Sequence, residues 1–413
     1  MKSIFYKLLI PILLGVATMT SCRKENPELE SPETYIGGNF ETIFESYWNG
    51  MNNNYIFWDI EKTDWDAVYK QYKPLFAKLN INDSTDVSIA RGYFKEMSKD
   101  LIDGHYNLTL NLPQLEEGSI FINPSFERKI LDSAYHDPIR MGHFLNAIPN
   151  NYLDEKAEVV ALKILNPDFT NSTKRIVTGT IKRDILYLGF DEFALAKYAN
   201  KFRTYRNALE SFFSKLKDST LKGVIIDVRS NGGGNLSDLD FLVGRMISSP
   251  LQIGYTRSKV NNGRLDYTPW VPALVAPQKD GQKVTCPIVM LADAHSVSMS
   301  EITTMAIKSL PNGYFVGERT WGGTGPLSTN IYYNGGQFDV AGNLLPYGLN
   351  VYTSSLMFKY KDGKVYEGVG FSPDVEVKFN GAAIAAQQDP QLQKAIDLIG
   401  SLDNKSLRSE NPR

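Results

Sequence analysis

Residues 223–234 read GVIIDVRSNGGG, and this stretch decides the fold. Its first six residues form an apolar run, interrupted only by Asp227, of the kind found in a strand that is buried on both faces of a sheet. The three glycines that follow predict a tight turn, because residues without a side chain let backbone N–H groups turn outward and approach a ligand closely. A second apolar run, Ile288–Ala292, predicts another buried strand.

Predicted strands and helices alternate on both sides of this stretch, which favours an α/β core. The predicted strands are Glu158–Leu165, Arg175–Lys182, Ile185–Phe190, Gly223–Val228, Ile288–Ala292, Tyr314–Val316 and Val375–Phe379. The predicted helices are Ala194–Leu216, Leu236–Ile247 and Ser298–Leu310. Residues 40–102 repeat apolar side chains three and four apart, which predicts three helices, and Pro74 should kink or end the second. Residues 105–111 and 326–378 alternate like strands, and 112–157 is loop-rich.

Length and composition exclude several classes of protein. With 413 residues, 42% hydrophobic and 22% charged, the chain is not disordered, collagen-like or a coiled coil. A net charge of −2 argues against nucleic acid as a partner, because such proteins normally have a basic excess. Two cysteines are too few for a disulfide scaffold or a Cys-rich zinc site, and Cys286 lies in an apolar run typical of a core.

The first 22 residues have the pattern of an export signal. Lys2 and Lys7 precede the apolar run 8–16, which is too short for an ordinary membrane span. Small and polar residues lead to Cys22, and the whole resembles a bacterial lipoprotein signal, although a plain secretory signal with a chance cysteine is the alternative. The resemblance implies a lipid anchor on Cys22, with residues 23–38 as a tether.

A cluster of serines follows the second apolar run, at the start of a predicted helix. Ser298 and Glu301 have the spacing of a capping box, in which the serine only caps the helix. Alternatively, the Ser298 hydroxyl is a nucleophile, placed where the helix dipole and free N–H groups stabilise an oxyanion. Ser296 and Ser300 compete for that role.

Three further segments are ambiguous when they are taken singly. The glycine turn lacks the GK[ST] and GxGxxG patterns of phosphate loops, which leaves an oxyanion donor or a plain turn. The segment Asp103-Gly-His105 contains a lone histidine, which is usually structural. The segment 367–374, EGVGFSPD, reads as a turn before a strand.

Taken together, five blocks resemble the C-terminal processing (tail-specific) serine peptidase family. They are DGH (103–105), GVIIDVRSNGGG (223–234), SVSMSEI (296–302), VGERTWGGTG (316–325) and EGVGFSPDVEV (367–377). The likeness covers roughly residues 40–380 and points to the branch that contains the tricorn core peptidase and the retinoid-binding-protein repeats. It implies an α/β fold with a crotonase/ClpP-like spiral core and an N-terminal helical segment. Residues 106–180 show no clear PDZ domain.

The same resemblance implies roles for single residues. Ser298 matches the family nucleophile, but Gly323 stands where one branch has its lysine base, so a Ser–Lys dyad is impossible at that spacing. Relatives that use Ser–His–Glu place the histidine and the carboxylate where this chain has His105 and Glu367. His295 is a rival base, only three residues from the serine.

The tetrahedral oxyanion needs two hydrogen-bond donors, and the N–H of Met299 with that of Gly232 or Gly233 is the natural pair. The expected function is therefore a serine endopeptidase that acts on protein or peptide substrates without a metal or cofactor. The alternatives are a non-catalytic peptide- or ligand-binding lipoprotein on the same fold and, on fold analogy alone, a crotonase-type acyl-CoA enzyme.

These interpretations define the expected organisation of the chain. A signal peptide (1–21) and a tether (22–38) precede a helical domain (39–104), a peptidase core (105–380), and a C-terminal helix with a polar tail (381–413). The expected location is the cell envelope of a Gram-negative bacterium, anchored by lipid and facing the periplasm or the outer membrane. The oligomeric state is not indicated by the sequence.

Overall fold

The computed structural model describes residues 39–112, 120–165, 171–261, 263–327, 337–339 and 348–410. The predicted signal peptide (1–21) and the whole of the predicted tether (22–38), Cys22 included, lie outside the described residues. Three helices open the fold: α1 (Phe40–Asn54), α2 (Trp65–Phe76) and α3 (Ser84–Ser98). Their apolar stripes pack into one aromatic-rich core, as the spacing predicted. Pro74 lies inside α2, and that helix ends two residues later.

A seven-stranded sheet forms the centre of the molecule, in the order β14-β10-β9-β6-β5-β4-β3. Its strands are β3 (Glu158–Leu165), β4 (Asn171–Ile181), β5 (Ile185–Phe190), β6 (Gly223–Asp227), β9 (Ile288–Ala292), β10 (Gly313–Gly317) and β14 (Val375–Glu376). The pairs from β5 to β14 are parallel, whereas β3, β4 and β5 pair antiparallel. Because β6 and β9 are adjacent and parallel, the turns after them lie side by side at one edge of the sheet.

Two smaller sheets complete the structure. One has the order β11-β12-β1-β2 and the other β13-β7-β8. Their strands are β1 (Asn107–Asn111), β2 (Ile120–Ile122), β7 (Leu251–Ser258), β8 (Val271–Val275), β11 (Gln337–Asp339), β12 (Gly348–Tyr352) and β13 (Leu356–Tyr360). In the first of them, β12 pairs antiparallel with β1, which begins two residues after His105.

Helices cover the sheets and connect the strands. They are α4 (Pro124–Ile130), α5 (Ile148–Asn151), α6 (Leu195–Lys201), α7 (Arg203–Lys215), α8 (Ser237–Leu242), α9 (Met299–Lys308), α10 (Gly381–Ala385) and α11 (Pro390–Glu410). A π-helical turn (His143–Ala147) precedes α5, and a 3-10 turn (Val243–Arg245) follows α8. Within the described residues, no helix combines the length and the apolar character needed to cross a membrane.

The Asp and Arg of the deciding stretch are structural residues. Arg229 is fully buried, and its guanidinium donates to Asp227 over 2.9 Å and to Asp389, just before α11, over 2.8 Å. A buried charge is tolerated only when it is paired in this way. Gly223 admits α11 closely, because a Cβ there would lie 2.6 Å from the Ile399 side chain. The last helix is thereby fixed on the sheet.

The predicted α/β class with an N-terminal helical segment is confirmed. Several boundaries differ for physical reasons. The helix predicted over 194–216 is two helices, because the extended backbone of Phe202 interrupts it. The region 112–157, predicted as loops, contains β2, α4 and the π-helical turn. The predicted strand 375–379 is ordered as a strand for two residues only.

Candidate active site

Ser298 stands at the start of α9, at the end of the loop that follows β9. Its φ of 58° and ψ of −116° lie where residues other than glycine are rarely found. Such strain persists only when the surroundings hold it, and it concentrates at functional sites. Ser298 is half-buried, and the helix N-terminus beside it favours negative charge. This turn is suited to present a nucleophile.

Glu301 connects the Ser298 turn to the glycine-rich loop of the TWGG segment. Its fully buried carboxylate accepts the backbone N–H of Ser298 over 3.1 Å, which is the glutamate half of the predicted capping box. The same carboxylate accepts the N–H groups of Gly322 and Gly323 over 2.7 and 2.8 Å, and the Thr320 hydroxyl over 2.6 Å. Helix capping and loop positioning therefore depend on one side chain.

The two competing serines are engaged inside the protein. The Ser296 hydroxyl donates to the Val228 carbonyl over 2.8 Å and accepts the Asp293 N–H over 2.9 Å. The Ser300 hydroxyl donates to the Asn231 carbonyl over 2.7 Å. Both serines are fully buried, whereas Ser298 is partly accessible. Among the three serines, the structure leaves Ser298 best placed to meet a substrate.

The glycine turn after β6 packs directly against Ser298. A Cβ at Gly233, whose φ is 92°, would lie 2.8 Å from the Ser298 Cβ and 2.9 Å from the Met299 nitrogen. Only glycine fits this approach. Asn231, which the sequence analysis did not single out, holds the two turns together, because its carbonyl accepts the Val297 N–H over 3.1 Å.

The hydrogen bonds distinguish the two glycines offered as oxyanion donors. The Gly233 N–H donates to the Asn231 side chain over 2.9 Å and is used within the turn. Within the described part of the chain, the N–H groups of Gly232 and Met299 have no protein acceptor. Gly232 and Met299 are therefore the donors available to a ligand at Ser298.

His105 lies where the family lysine would project from position 323. A Cβ at Gly323 would lie 3.3 Å from Cε1 of His105 and 3.1 Å from Cγ1 of Val297, the residue before Ser298. The absence of a side chain at 323 thus makes room for the imidazole. Position 104 also requires glycine, because a Cβ there would approach the Gly323 Cα within 2.6 Å. The fold therefore brings His105 to the side of the Ser298 turn.

Glu367 lies beside His105, as the resemblance implied, but its hydrogen bonds go elsewhere. One carboxylate oxygen accepts the Gly104 N–H over 2.7 Å. The other accepts the N–H groups of Thr324 and Gly325, each over 2.7 Å, and the Thr324 hydroxyl over 3.0 Å. Among the described contacts, no hydrogen bond joins Glu367 to the imidazole. Its contacts fix the backbone on both sides of the histidine, and its predicted role as the orienting residue stays a prediction.

Asp103 and Ser354 are the polar residues nearest to the His105 ring that sequence reasoning did not assign. Oxygens of Asp103 and Glu367 and a ring nitrogen of His105 lie within 4.8 Å of one another. The Ser354 hydroxyl is 2.8 Å from Oδ1 of Asp103 and 3.4 Å from Nδ1 of His105. Asp103 belongs to the DGH block (103–105), whereas Ser354 belongs to no recognisable motif.

Burial shifts the pKa values of His105, Asp103 and Glu367. It lowers the pKa of His105 to about 4, because the imidazolium loses hydration. It raises the pKa of Asp103 to about 6. Burial, and secondarily the Asp103 charge, raise the pKa of Glu367 above its ordinary value. At neutral pH His105 is therefore uncharged and able to accept a proton.

The rival histidine has other partners. Nε2 of His295 lies 2.6 Å from the carbonyl oxygen of His136 and donates to it. The His136 ring stacks on Phe379 and contacts the Glu318 carboxylate through Nε2 over 2.8 Å. His295 is thus tied to the loop that carries His136, and the described contacts do not link it to Ser298.

A cavity of about 530 Å³ opens beside the site. Its lining includes Arg319 and Trp321, which lead into the glycine loop, and Ala294, which precedes the Ser298 turn. Lys129 of α4 and Tyr135 also line it, whereas Ser298 and His105 do not. The cavity is large enough for several side chains of a bound peptide.

Comparisons with known proteins agree with this geometry. The model of peptidase family S41 matches residues 184–377, and the model of the tricorn protease C1 domain matches residues 38–84. The tricorn protease of Thermoplasma acidophilum is 27% identical over 191 residues, which are 46% of this chain and 15% of that protein. Tricorn protease homolog 1 of Streptomyces coelicolor is 31% identical over 183 residues, which are 43% of this chain and 14% of that protein.

A solved structure extends the similarity over most of the chain. A putative peptidase from Parabacteroides merdae superposes with a TM-score of 0.60 at 22% identity, and the match covers 88% of this chain and 97% of that one. Over most of its length the chain therefore has the fold of this putative peptidase. The chain matches peptidase family S41 and the tricorn proteases, and this confirms the resemblance that its five sequence blocks indicated. It spans only about 15% of the length of the tricorn proteases it matches.

Proposed function

We propose that the protein is a serine endopeptidase that hydrolyses peptide bonds of extracytoplasmic proteins. Ser298 is the nucleophile, His105 the general base, and Glu367 the carboxylate that orders the loops around that base. One observation carries the proposal: the strained Ser298 turn faces the glycine turn, while His105 fills the space left open by Gly323. The match of residues 184–377 to the peptidase family S41 model supports the reaction class.

The chemistry follows from these positions. A serine hydroxyl attacks a peptide carbonyl only if a base removes its proton during the attack, and neutral His105 supplies that base. The N–H groups of Gly232 and Met299 stabilise the oxyanion, and losing one such donor typically costs about 100- to 1000-fold. The imidazolium then protonates the leaving amine, and a water molecule hydrolyses the acyl-enzyme by the same route in reverse.

The reaction class is tested with an unfolded protein as substrate, because an unfolded chain offers extended peptide segments to the partly accessible Ser298. New internal termini identified by mass spectrometry are the expected result, together with an adduct of a fluorophosphonate probe on the peptide that contains Ser298. Binding of the unfolded protein with neither cleavage nor an adduct would instead favour a non-catalytic peptide-binding protein on this fold.

Glu367 offers a graded test of the same site. In Glu367→Gln the amide group must face either the Gly104 N–H or the three donors from Thr324 and Gly325, and it leaves a buried donor without its acceptor. We expect kcat/KM to fall about 5- to 150-fold, the equivalent of one unsatisfied buried donor. The exposed Glu210→Gln on α7 is the matched control and should leave kcat/KM unchanged. Wild-type kcat/KM in Glu367→Gln would remove Glu367 from the proposed set.

We also propose that the protein is a lipoprotein of the cell envelope, held through Cys22. The support comes from the sequence: a basic start, the apolar run 8–16, and a cysteine followed by a polar tether. A lipid chain contributes about 0.8 kcal/mol per buried CH₂ to membrane binding, so one residue can decide the location of the whole chain.

Cys22→Ala is expected to abolish lipidation, so that the chain is released from membranes or accumulates with its signal uncleaved. Detergent partitioning and the intact mass of the product measure the two outcomes. Cys286→Ala is the control, because that thiol is half-buried beside the core and should not affect anchoring. Unchanged mass and unchanged membrane association in Cys22→Ala would contradict the proposal.

A further inference from the structure

Ser354 lies in the turn between β12 and β13, with its side chain fully buried against the histidine loop. Its hydroxyl approaches three groups: Oδ1 of Asp103 at 2.8 Å, Nδ1 of His105 at 3.4 Å and the Gly325 carbonyl oxygen at 3.4 Å. Its backbone N–H donates to the other Asp103 oxygen over 2.8 Å. Ser354 and Asp103 are therefore joined by two hydrogen bonds, and the imidazole lies against this pair.

The single hydroxyl hydrogen of Ser354 fixes the direction of these bonds. The nearest acceptor is the Asp103 carboxylate, and a charged acceptor makes the stronger hydrogen bond. The lone pairs of the hydroxyl oxygen then face Nδ1 of His105, so Nδ1 carries the proton and donates it. In this tautomer Nε2 has a free lone pair, as a base acting on Ser298 requires.

Asp103 is held as the fixed end of this chain of hydrogen bonds. Besides the two bonds from Ser354, its Oδ1 accepts the backbone N–H of His105 over 2.9 Å. It is buried, so it has no competing solvent donor. The Glu367 oxygens, in contrast, accept hydrogen bonds from backbone N–H groups and from the Thr324 hydroxyl. The described contacts thus give the imidazole one polar partner on its Nδ1 side, and that partner is Ser354.

We propose that Ser354 and Asp103 are the positioning residues of His105, which set its tautomer and stabilise the imidazolium that forms when Ser298 attacks. The proposal rests on the proposed function. No proton is transferred between His105, Ser354 and Asp103. Nδ1 of His105 keeps its hydrogen, and the Ser354 hydroxyl keeps its hydrogen bond to Asp103. Only Nε2 of His105 gains a proton, which comes from Ser298.

The first experiment compares Ser354→Ala with Thr353→Val. Thr353 is the adjacent residue, is equally buried, and its hydroxyl has no partner among the described residues, so its replacement removes a hydroxyl without removing a bond. Ser354→Ala and Asp103→Asn should lower kcat about 10- to 100-fold with KM unchanged, while Thr353→Val should keep wild-type kcat. Equal kcat in Ser354→Ala and Thr353→Val would overturn the proposal.

The pH profile separates positioning from loosened packing. Asp103 and Glu367 face the imidazole within 4.8 Å, Tyr352 lies next to Asp103, and Glu301 lies beyond Glu367. Without the Ser354 hydroxyl or the Asp103 carboxylate the His105 imidazolium is less stable. The acidic limb of kcat/KM should therefore move to lower pH in Ser354→Ala and in Asp103→Asn. If the variants merely admitted water, hydration would return and the limb would move upward, towards the ordinary histidine pKa.

A measurement that needs no activity keeps this inference distinct from the proposed function. The chain has four histidines, so ¹⁵N-imidazole NMR of the full chain can be assigned by comparison with a His105→Gln spectrum. We expect His105 to be protonated at Nδ1 in the wild type and to become a tautomer mixture in Ser354→Ala. An Nε2-protonated His105 in the wild type would overturn the positioning role even if the protein were an active peptidase. The expected tautomer in an inactive protein would instead contradict the proposed function alone.

Discussion

Ser298→Ala is expected to remove peptide hydrolysis and fluorophosphonate labelling together, with kcat falling by about 10⁴- to 10⁶-fold. The loss is large because the Ser298 hydroxyl oxygen is the atom that forms the acyl-enzyme. Ser296 and Ser300 are both committed to backbone carbonyls in the interior. The fold should survive, since the Ser298 backbone N–H keeps its bond to Glu301 whatever side chain it carries.

The neighbouring serines provide the controls for that result. Ser296→Ala and Ser300→Ala each lose a buried hydrogen bond, so both should lower the thermal midpoint while the probe still labels Ser298. If Ser298 only capped α9, its replacement would cost about 0.5–2 kcal/mol of stability, and the wild type would not react with the probe. Labelling that persists in Ser298→Ala would place the nucleophile elsewhere.

Much of the fold could be predicted because its central strands have an unambiguous pattern. Residues 185–190 and 288–292 are continuous apolar runs, and both are strands with the predicted bounds, fully buried in the sheet. Strands β7 and β8 were not predicted. They are half-exposed strands of a three-stranded sheet in which β7 is central and β8 lies at the edge, and their polar and apolar residues give no clear alternation. Burial on both faces leaves a trace in sequence that a half-buried strand does not.

In the candidate site, too, some residues could be predicted from the sequence and others could not. Ser298, Gly233 and His105 stand in blocks whose spacing is recognisable, and the structure places them in one region. Ser354 could not be found in this way, since it lies 249 residues from His105 and contacts it only through the pairing of β1 with β12. At position 323 the sequence shows only that the lysine base of one family branch is absent, because the residue is glycine. The structure adds that the His105 side chain lies in the space that this glycine leaves.

His105→Ala is expected to reduce turnover to the level of Ser298→Ala, because a nucleophile and its base act as a unit. The wild-type pH profile should show an unusual acidic limb. A base must be neutral to accept a proton, and burial lowers the pKa of His105 to about 4, so protonation of His105 itself limits activity only towards pH 4. Burial raises the pKa of Asp103 to about 6, so a partial fall in activity near pH 6 is expected as that carboxylate is protonated, and Asp103→Asn should lack this step. A lysine base would place the limb far higher, unless burial lowered its pKa.

His295→Ala is the matched control for the base. It removes a second imidazole near the same turn, but one whose Nε2 already donates to the His136 carbonyl, and it should retain most of the activity. An inactive His295→Ala with an active His105→Ala would move the base to His295. If neither change lowered kcat, a base from another part of the chain would be required, and the geometry at Gly323 would have to be explained by packing alone. An acidic limb near pH 6.5 that persists in Asp103→Asn would mean that the catalytic histidine is hydrated, contrary to the burial of His105 in this fold.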